Sequence, residues 1–139
     1  MGFLLKMLAK SPWVFHLSCG SCNNCDIEIL DLLTPRFDVE RFGALLVGSE
    51  RHADALLVTG AMNRKSAKRL KTVYEQTAKP CLVIAFGACA SGQGIFRDSY
   101  PMTVPLDEII PVDVYIPGCP PKPEAMIAGI IKGLQKLKG

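Results

Sequence analysis

The residues best equipped for chemistry are six cysteines, three of them packed into the stretch Ser18-Cys19-Gly20-Ser21-Cys22-Asn23-Asn24-Cys25-Asp26. Cys81, Cys89 and Cys119 stand singly, far along the chain. Thiolates are strong ligands for soft metals and iron–sulfur clusters, and good nucleophiles when activated. The three-cysteine stretch lies between a β-like run, Trp13-Val14-Phe15-His16-Leu17, and a helical pattern, Ile27 to Leu33. Its thiols therefore belong to a short polar loop at a helix start, where backbone N–H groups are free.

Other elements must bring the distant cysteines to that loop. Ala53 to Gly60 reads as a buried strand, and so do Cys81–Phe86 and Val112–Ile116; a shorter strand fits Ala44–Val47. Helical spacing predicts helices over Asp26–Leu33, about Lys65–Thr77 and about Glu124–Leu137, with Asn23 or Asn24 as N-cap of the first. Residues 1–10 suit a short amphipathic helix stopped by Pro12, Ala90–Gly94 a Gly-rich loop, and 97–111 an irregular segment punctuated by prolines. Strands alternating with helices predict an α/β fold: a flavodoxin-like, doubly wound, mostly parallel sheet with helices on both faces. The expected organisation is an N-terminal docking segment, 1–12, and a single α/β domain, 13–139.

In such a sheet every strand's carboxyl end lies along one edge, where open α/β folds place their sites. The first strand runs into Cys22 and Cys25, another into Cys89, and the last into Cys119. Four thiolates from three loops can then meet in one centre. A structural zinc and an iron–sulfur cluster both accept this donor set. Only one Cys-x-x-Cys pair is local, whereas zinc ribbons usually carry two. Small neighbours (Gly20, Ser21, Gly87, Ala88, Ala90, Gly118) leave room for something bulkier than one ion. Cys81 opens a strand and reads as a core residue, and Cys19 as a bystander beside the site or an alternative to Cys22. An even cysteine count also permits disulfides.

Composition bounds the rest. With 139 residues the chain suits one domain, and its formal charge of +3 is not gathered into a run that would suggest nucleic acid. Hydrophobic residues make up 49% and charged ones only 21%, a balance that predicts burial against partner proteins. The apolar run Cys81–Ala90 is far short of the roughly 20 residues that span a bilayer, and no signal-peptide pattern is expected at the N-terminus.

Five motifs in order carry a resemblance: Ser-Cys-Asn-Asn-Cys-Asp-Ile-Glu-Ile, Thr-Pro-Arg-Phe-Asp-Val-Glu-Arg-Phe-Gly, Arg-His-Ala-Asp-Ala-Leu-Leu-Val-Thr-Gly, Gly-Ala-Cys-Ala, and Pro-Val-Asp-Val-Tyr-Ile-Pro-Gly-Cys-Pro-Pro-Lys-Pro-Glu-Ala. Over residues 11–137 the chain resembles the small, cluster-bearing subunit of membrane-bound, energy-converting nickel–iron hydrogenases of group 4. The sister of that subunit is the 20 kDa, cluster N2 subunit of respiratory complex I. The complex I pattern has adjacent cysteines; here Asn23-Asn24 separates Cys22 from Cys25, as in the hydrogenase form. The resemblance implies one 4Fe–4S cluster on Cys22, Cys25, Cys89 and Cys119, proximal to a NiFe centre in a partner subunit. Many relatives have Thr or Ser at the position of Cys19, which fits its bystander reading. The implied role is electron relay between ferredoxin-type clusters and the large subunit, in ferredoxin oxidation, proton reduction to hydrogen and ion translocation. No nickel site can be drawn in this chain, since no second pair of thiolates is left over.

The implied partners are the NiFe large subunit, a two-cluster ferredoxin-like subunit, membrane ion-translocating subunits and, indirectly, soluble ferredoxin. The implied place is the cytoplasmic side of the membrane. Glu28 is a first-turn carboxylate or a proton-path or interface group. Arg36, Asp38, Glu40 and Arg41, and Arg51-His52, are solvated charges or interface residues. His16 reads as a packed or hydrogen-bonded core residue, Asp54 and Asp113 as partners of nearby backbone, and Gly92-Gln93-Gly94 as at most a weak phosphate cradle. The alternatives are a quinone- or sulfur-reducing complex I-type subunit and a structural zinc module.

Overall fold

A computed structural model describes residue 6 and residues 10–138, so the expected N-terminal helix and most of the docking segment lie outside the described residues. Five strands form one sheet: β1 (Trp13–Ser18), β2 (Leu45–Leu46), β3 (Ala55–Thr59), β4 (Leu82–Phe86) and β5 (Val114–Ile116). Their order is β2-β1-β3-β4-β5 and every pairing is parallel. This is the flavodoxin-like doubly wound arrangement. The α/β reading holds, and the sheet is parallel throughout.

Among the described residues from 10 onward, five α-helices connect and cover the strands: α1 (Asn24–Asp31), α2 (Arg64–Gln76), α3 (Gly87–Gly92), α4 (Leu106–Ile109) and α5 (Pro123–Lys138). On one face Val14, Leu57, Ile84, Phe86 and Ile116 pack with Ile29 and Leu32 around α1 and with Met126 and Ile130 of α5. On the other, Leu56, Val58, Val83 and Ala85 pack with Leu70 and Val73 of α2, and with Cys19, Ala90 and Leu106. β3 and β4 are buried at every position, as expected of central strands covered on both faces. Among the described residues no helix is long and apolar enough to cross a membrane.

Local chemistry sets the element boundaries. Asn63 caps α2 in a reciprocal box with Ser66, its Oδ1 accepting from the Lys65 and Ser66 amides at 3.0 and 2.8 Å. Asn23 precedes α1 in the left-handed region (φ 70°) and makes no side-chain cap. Asparagine tolerates that conformation better than most residues, which suits the turn between the two local cysteines. Asp54 accepts from the Trp13 amide at 3.0 Å and Asp113 from the Val83 amide at 2.9 Å, so both serve strand backbone as expected.

Two segments differ from the sequence reading. The residues after Phe86 do not form a loop: Gly87, at φ 81°, turns the chain off β4 directly into α3, and Ser91 Oγ donates to the Gly87 carbonyl at 2.9 Å. The irregular 97–111 segment contains α4, a single turn that buries Leu106.

Candidate metal centre

Strand register brings the cysteine loops level. Ser18 pairs with Thr59, Thr59 with Phe86, and Phe86 with Ile116, so β1, β3, β4 and β5 end in one row. The residues just beyond that row carry Cys22 and Cys25 after β1, Cys89 after β4 and Cys119 after β5. The last two loops are joined by a hydrogen bond from the Ala88 amide to the Gly118 carbonyl, 2.8 Å. Cys25, in the first turn of α1, faces α3 so closely that a Cβ on Gly87 would sit 2.8 Å from its sulfur. Real Cβ atoms do not approach so near, so only glycine fits there.

The thiols share one electrostatic environment. Burial first, and then the neighbouring Cys22, Cys89, Asp26 and Cys119, together push the Cys25 thiol up to about 11. Burial likewise raises Cys89, with Cys119 and Cys22 adding to it. Cys22 and Cys119 are exposed and Cys25 and Cys89 half-buried, so the group opens outward. Without a cation beside them, Cys25 and Cys89 resist becoming thiolates.

The donor set and its surroundings fit an iron–sulfur cluster. All four candidates are sulfur, the ligand class that such clusters use. The space beside Cys25 is kept clear by Gly87. A single tetrahedral zinc would need its thiolates about 3.8 Å apart, from bonds of about 2.3 Å. Among the described residues no three His, Cys, Asp or Glu side chains are grouped closely enough to hold one metal ion.

The other two cysteines are elsewhere. Cys19 is 1% exposed and packs on the α2 side of the sheet. Its amide bonds the Thr59 carbonyl at 2.8 Å, and its own carbonyl accepts from Ser66 Oγ at 3.2 Å. Burial pushes its thiol up to about 12. Cys81 packs against the same core, and burial raises it to about 11.

The polar candidates divide by position. Glu28 is half-buried on α1, three residues after Cys25, and its side chain has no hydrogen-bond partner among the described residues. Arg36, Asp38, Arg41, Arg51 and His52 do not gather around the thiols. They lie on the connections that lead into β2 and β3, at the amino edge of the sheet. Arg41 and Asp38 form a long exposed pair at 4.0 Å. Gln93 is no phosphate cradle: it is buried below Cys89, with its side-chain amide donating to the Thr103 carbonyl.

One arrangement goes beyond the sequence reading, which has His16 only as a packed or hydrogen-bonded core residue. The Asp26 carboxylate is turned back into the sheet, where Thr59, His16 and Ser18 surround it. The signal was present, since His16 and Ser18 share one face of β1 by period two, and Thr59 ends an otherwise apolar strand.

Known proteins place this architecture in a family. Residues 22–133 match the family described as NADH ubiquinone oxidoreductase, 20 kDa subunit, and the chain belongs to that family. It is 58% identical, over 96% of its length and 80% of the relative's, to a probable membrane-bound hydrogenase subunit mbhJ from Pyrococcus furiosus. It is 45% identical to formate hydrogenlyase subunit 7 of Escherichia coli, across 97% of this chain and 53% of that protein. Among solved structures it superposes on a chain of an archaeal membrane-bound sulfane sulfur reductase with a TM-score of 0.86 and 38% identity, covering 99% of this chain and 76% of that one. A chain of an NAD+-reducing [NiFe]-hydrogenase shares the fold, with a TM-score of 0.70 at 18% identity and coverage of 91% and 92%.

Proposed function

We propose that this chain is the electron-relay subunit of a membrane-bound, energy-converting NiFe hydrogenase complex, and that Cys22, Cys25, Cys89 and Cys119 hold one 4Fe–4S cluster. The observation that carries this reading is the convergence of four thiols from three strand ends on one level edge. Bound there, the cluster supplies reversible one-electron storage. The chain's residues supply the rest. Gly87 keeps space open beside Cys25, and the half-buried positions of Cys25 and Cys89 shield the inner side from water. Cys22 and Cys119 face outward.

Exposed apolar side chains border this edge: Ile27 at 61%, Ile95 at 90% and Tyr100 at 89%. Such a rim around a polar centre suits coverage by another protein. The NiFe large subunit is the proposed cover, with electrons arriving from a two-cluster ferredoxin-like subunit that soluble ferredoxin reduces. Proton reduction in the large subunit would be coupled to ion movement by membrane subunits, and this chain would be held peripherally on the cytoplasmic side. Glu28, half-buried three residues after Cys25, would contact the large subunit or carry a proton toward it. A contact through Arg36, Asp38, Arg41, Arg51 and His52 would be made at the opposite edge, with a different surface.

The test is co-purification with the large subunit, followed by a hydrogen-evolution assay driven by reduced ferredoxin. A large subunit that keeps both nickel-binding cysteine pairs and evolves hydrogen supports the proposal; one without those pairs rejects it. The likeness to the sulfane sulfur reductase chain favours a second reading, in which the same relay serves a sulfur-reducing large subunit. The separated pair Cys22-Asn23-Asn24-Cys25 weighs against the quinone-reducing form.

A further inference from the structure

Behind Cys25 lies a closed polar network that the relay function does not by itself require. Thr59 Oγ1 donates to Asp26 Oδ1 at 2.6 Å. His16 Nε2 stands 3.1 Å from the same oxygen and 3.0 Å from Thr59 Oγ1. Ser18 Oγ reaches Asp26 Oδ2 at 3.4 Å. Thr59 is wholly buried, and the side chains of His16 and Asp26 are only 22% and 16% exposed. The hydroxyl of Thr59 has one proton, and the short contact spends it on Asp26. Nε2 of His16 then faces two acceptors and must carry its own proton. The network thus selects one histidine tautomer and ties together the ends of β1 and β3 and the first turn of α1.

We propose that Asp26 is a positioning residue for the metal centre. Clasped by Thr59, His16 and Ser18, it pins the first turn of α1 to the sheet, fixes the Cys25 sulfur against Gly87, and holds one negative charge at a set place behind the ligands. This inference rests on the proposed reading of the four cysteines as cluster ligands. A carboxylate at this point also suits the positive end of the helix dipole, so the clasp and the dipole act together.

The test compares Thr59→Val, Thr59→Ser and Asp26→Asn in the full chain after anaerobic loading. Iron and sulfide content, the EPR signal, the midpoint potential and amide hydrogen exchange across α1 are read on the same samples. Asp26→Asn should raise the potential, because a negative charge that disfavours the reduced form is gone. Thr59→Val should shift the EPR g-values at unchanged iron content and speed exchange in the first turn of α1 by about tenfold to a hundredfold, the loss of one hydrogen bond to a charged group. Thr59→Ser should restore both. A Thr59→Val chain with the wild-type signal, potential and exchange overturns the inference. If the wild type takes up no cluster, the proposed function fails separately. Amide exchange then still decides whether the pin exists: faster in Thr59→Val and restored in Thr59→Ser supports it, and equal rates in all three overturn it.

Discussion

The two edges of the sheet are built from similar residue types and do different things. At the amino edge Asp54 and Asp113 accept backbone N–H groups from Trp13 and Val83, so their charge is spent on squaring off strands. At the carboxyl edge Asp26 accepts from side chains instead. Arg36, Arg41, Arg51 and His52 line connections at the first edge, and four cysteines line the second. An aspartate near a strand end therefore closes local structure at one edge and organises a centre at the other. What decides is whether strands begin or end there.

The largest expected effects come from breaking the carboxyl edge. Replacing Cys22, Cys25, Cys89 or Cys119 singly by Ser should abolish or sharply reduce bound iron, measured against sulfide in the purified chain, whereas Cys81→Ser should leave it intact. Gly87→Ala should also lose iron, because its Cβ would lie 2.8 Å from the Cys25 sulfur and its φ is 81°. Gly43→Ala supplies the amino-edge counterpart: φ is 92° and the new Cβ would lie 2.5 Å from the Lys10 carbonyl oxygen. That variant should lose about 1–3 kcal/mol in denaturant melts yet keep full iron in the folded fraction. Iron loss in both would erase the contrast between the edges.

A smaller effect belongs to the two cysteines outside the centre. Their thiols are raised from 9.0 to about 12 for Cys19 and about 11 for Cys81 by burial. A raised pKa means that the folded chain keeps these protons when the unfolded chain releases them. Their contribution is therefore complete below about pH 9 and lost as pH climbs toward 11 and 12. The melting temperature of the metal-free chain should fall over that window, and fall less in Cys81→Ala. In the same chain at pH 8, iodoacetamide should label exposed Cys22 and Cys119 quickly and Cys19 only on unfolding, as read by mass spectrometry. The smallest effect is that of Arg41→Ala, whose exposed pair with Asp38 is worth about 0–1 kcal/mol at most. Its melting curve should overlay that of the wild type.

Much of this was legible in the sequence because it depends on period and punctuation. Buried runs such as Ala55–Thr59 and Leu82–Phe86 announce central strands, and parallel strands oblige Cys22, Cys89 and Cys119 to share an edge. The turn at Gly87 was not legible, because glycine after a strand reads equally as a loop or as the left-handed step into α3. The Asp26 clasp was half legible: His16 and Ser18 share one face of β1, but Thr59 is distant in sequence, and only the register of Ser18 with Thr59 brings it to Asp26. The glutamine in the Gly92-Gln93-Gly94 stretch read as loop chemistry, yet its side chain is buried and bonded to Thr103. The sequence offers Arg36 to Arg41 as solvated charges or interface residues, and a motif alone does not say which edge it will occupy.

The most direct measurement is metal and acid-labile sulfide analysis of the full chain after anaerobic reconstitution, with EPR of the reduced sample. About four irons and about four sulfides per chain, with a reduced-cluster EPR signal that vanishes in Cys89→Ser, is the predicted result. One zinc per chain with no sulfide, unaffected by that substitution, would contradict the account.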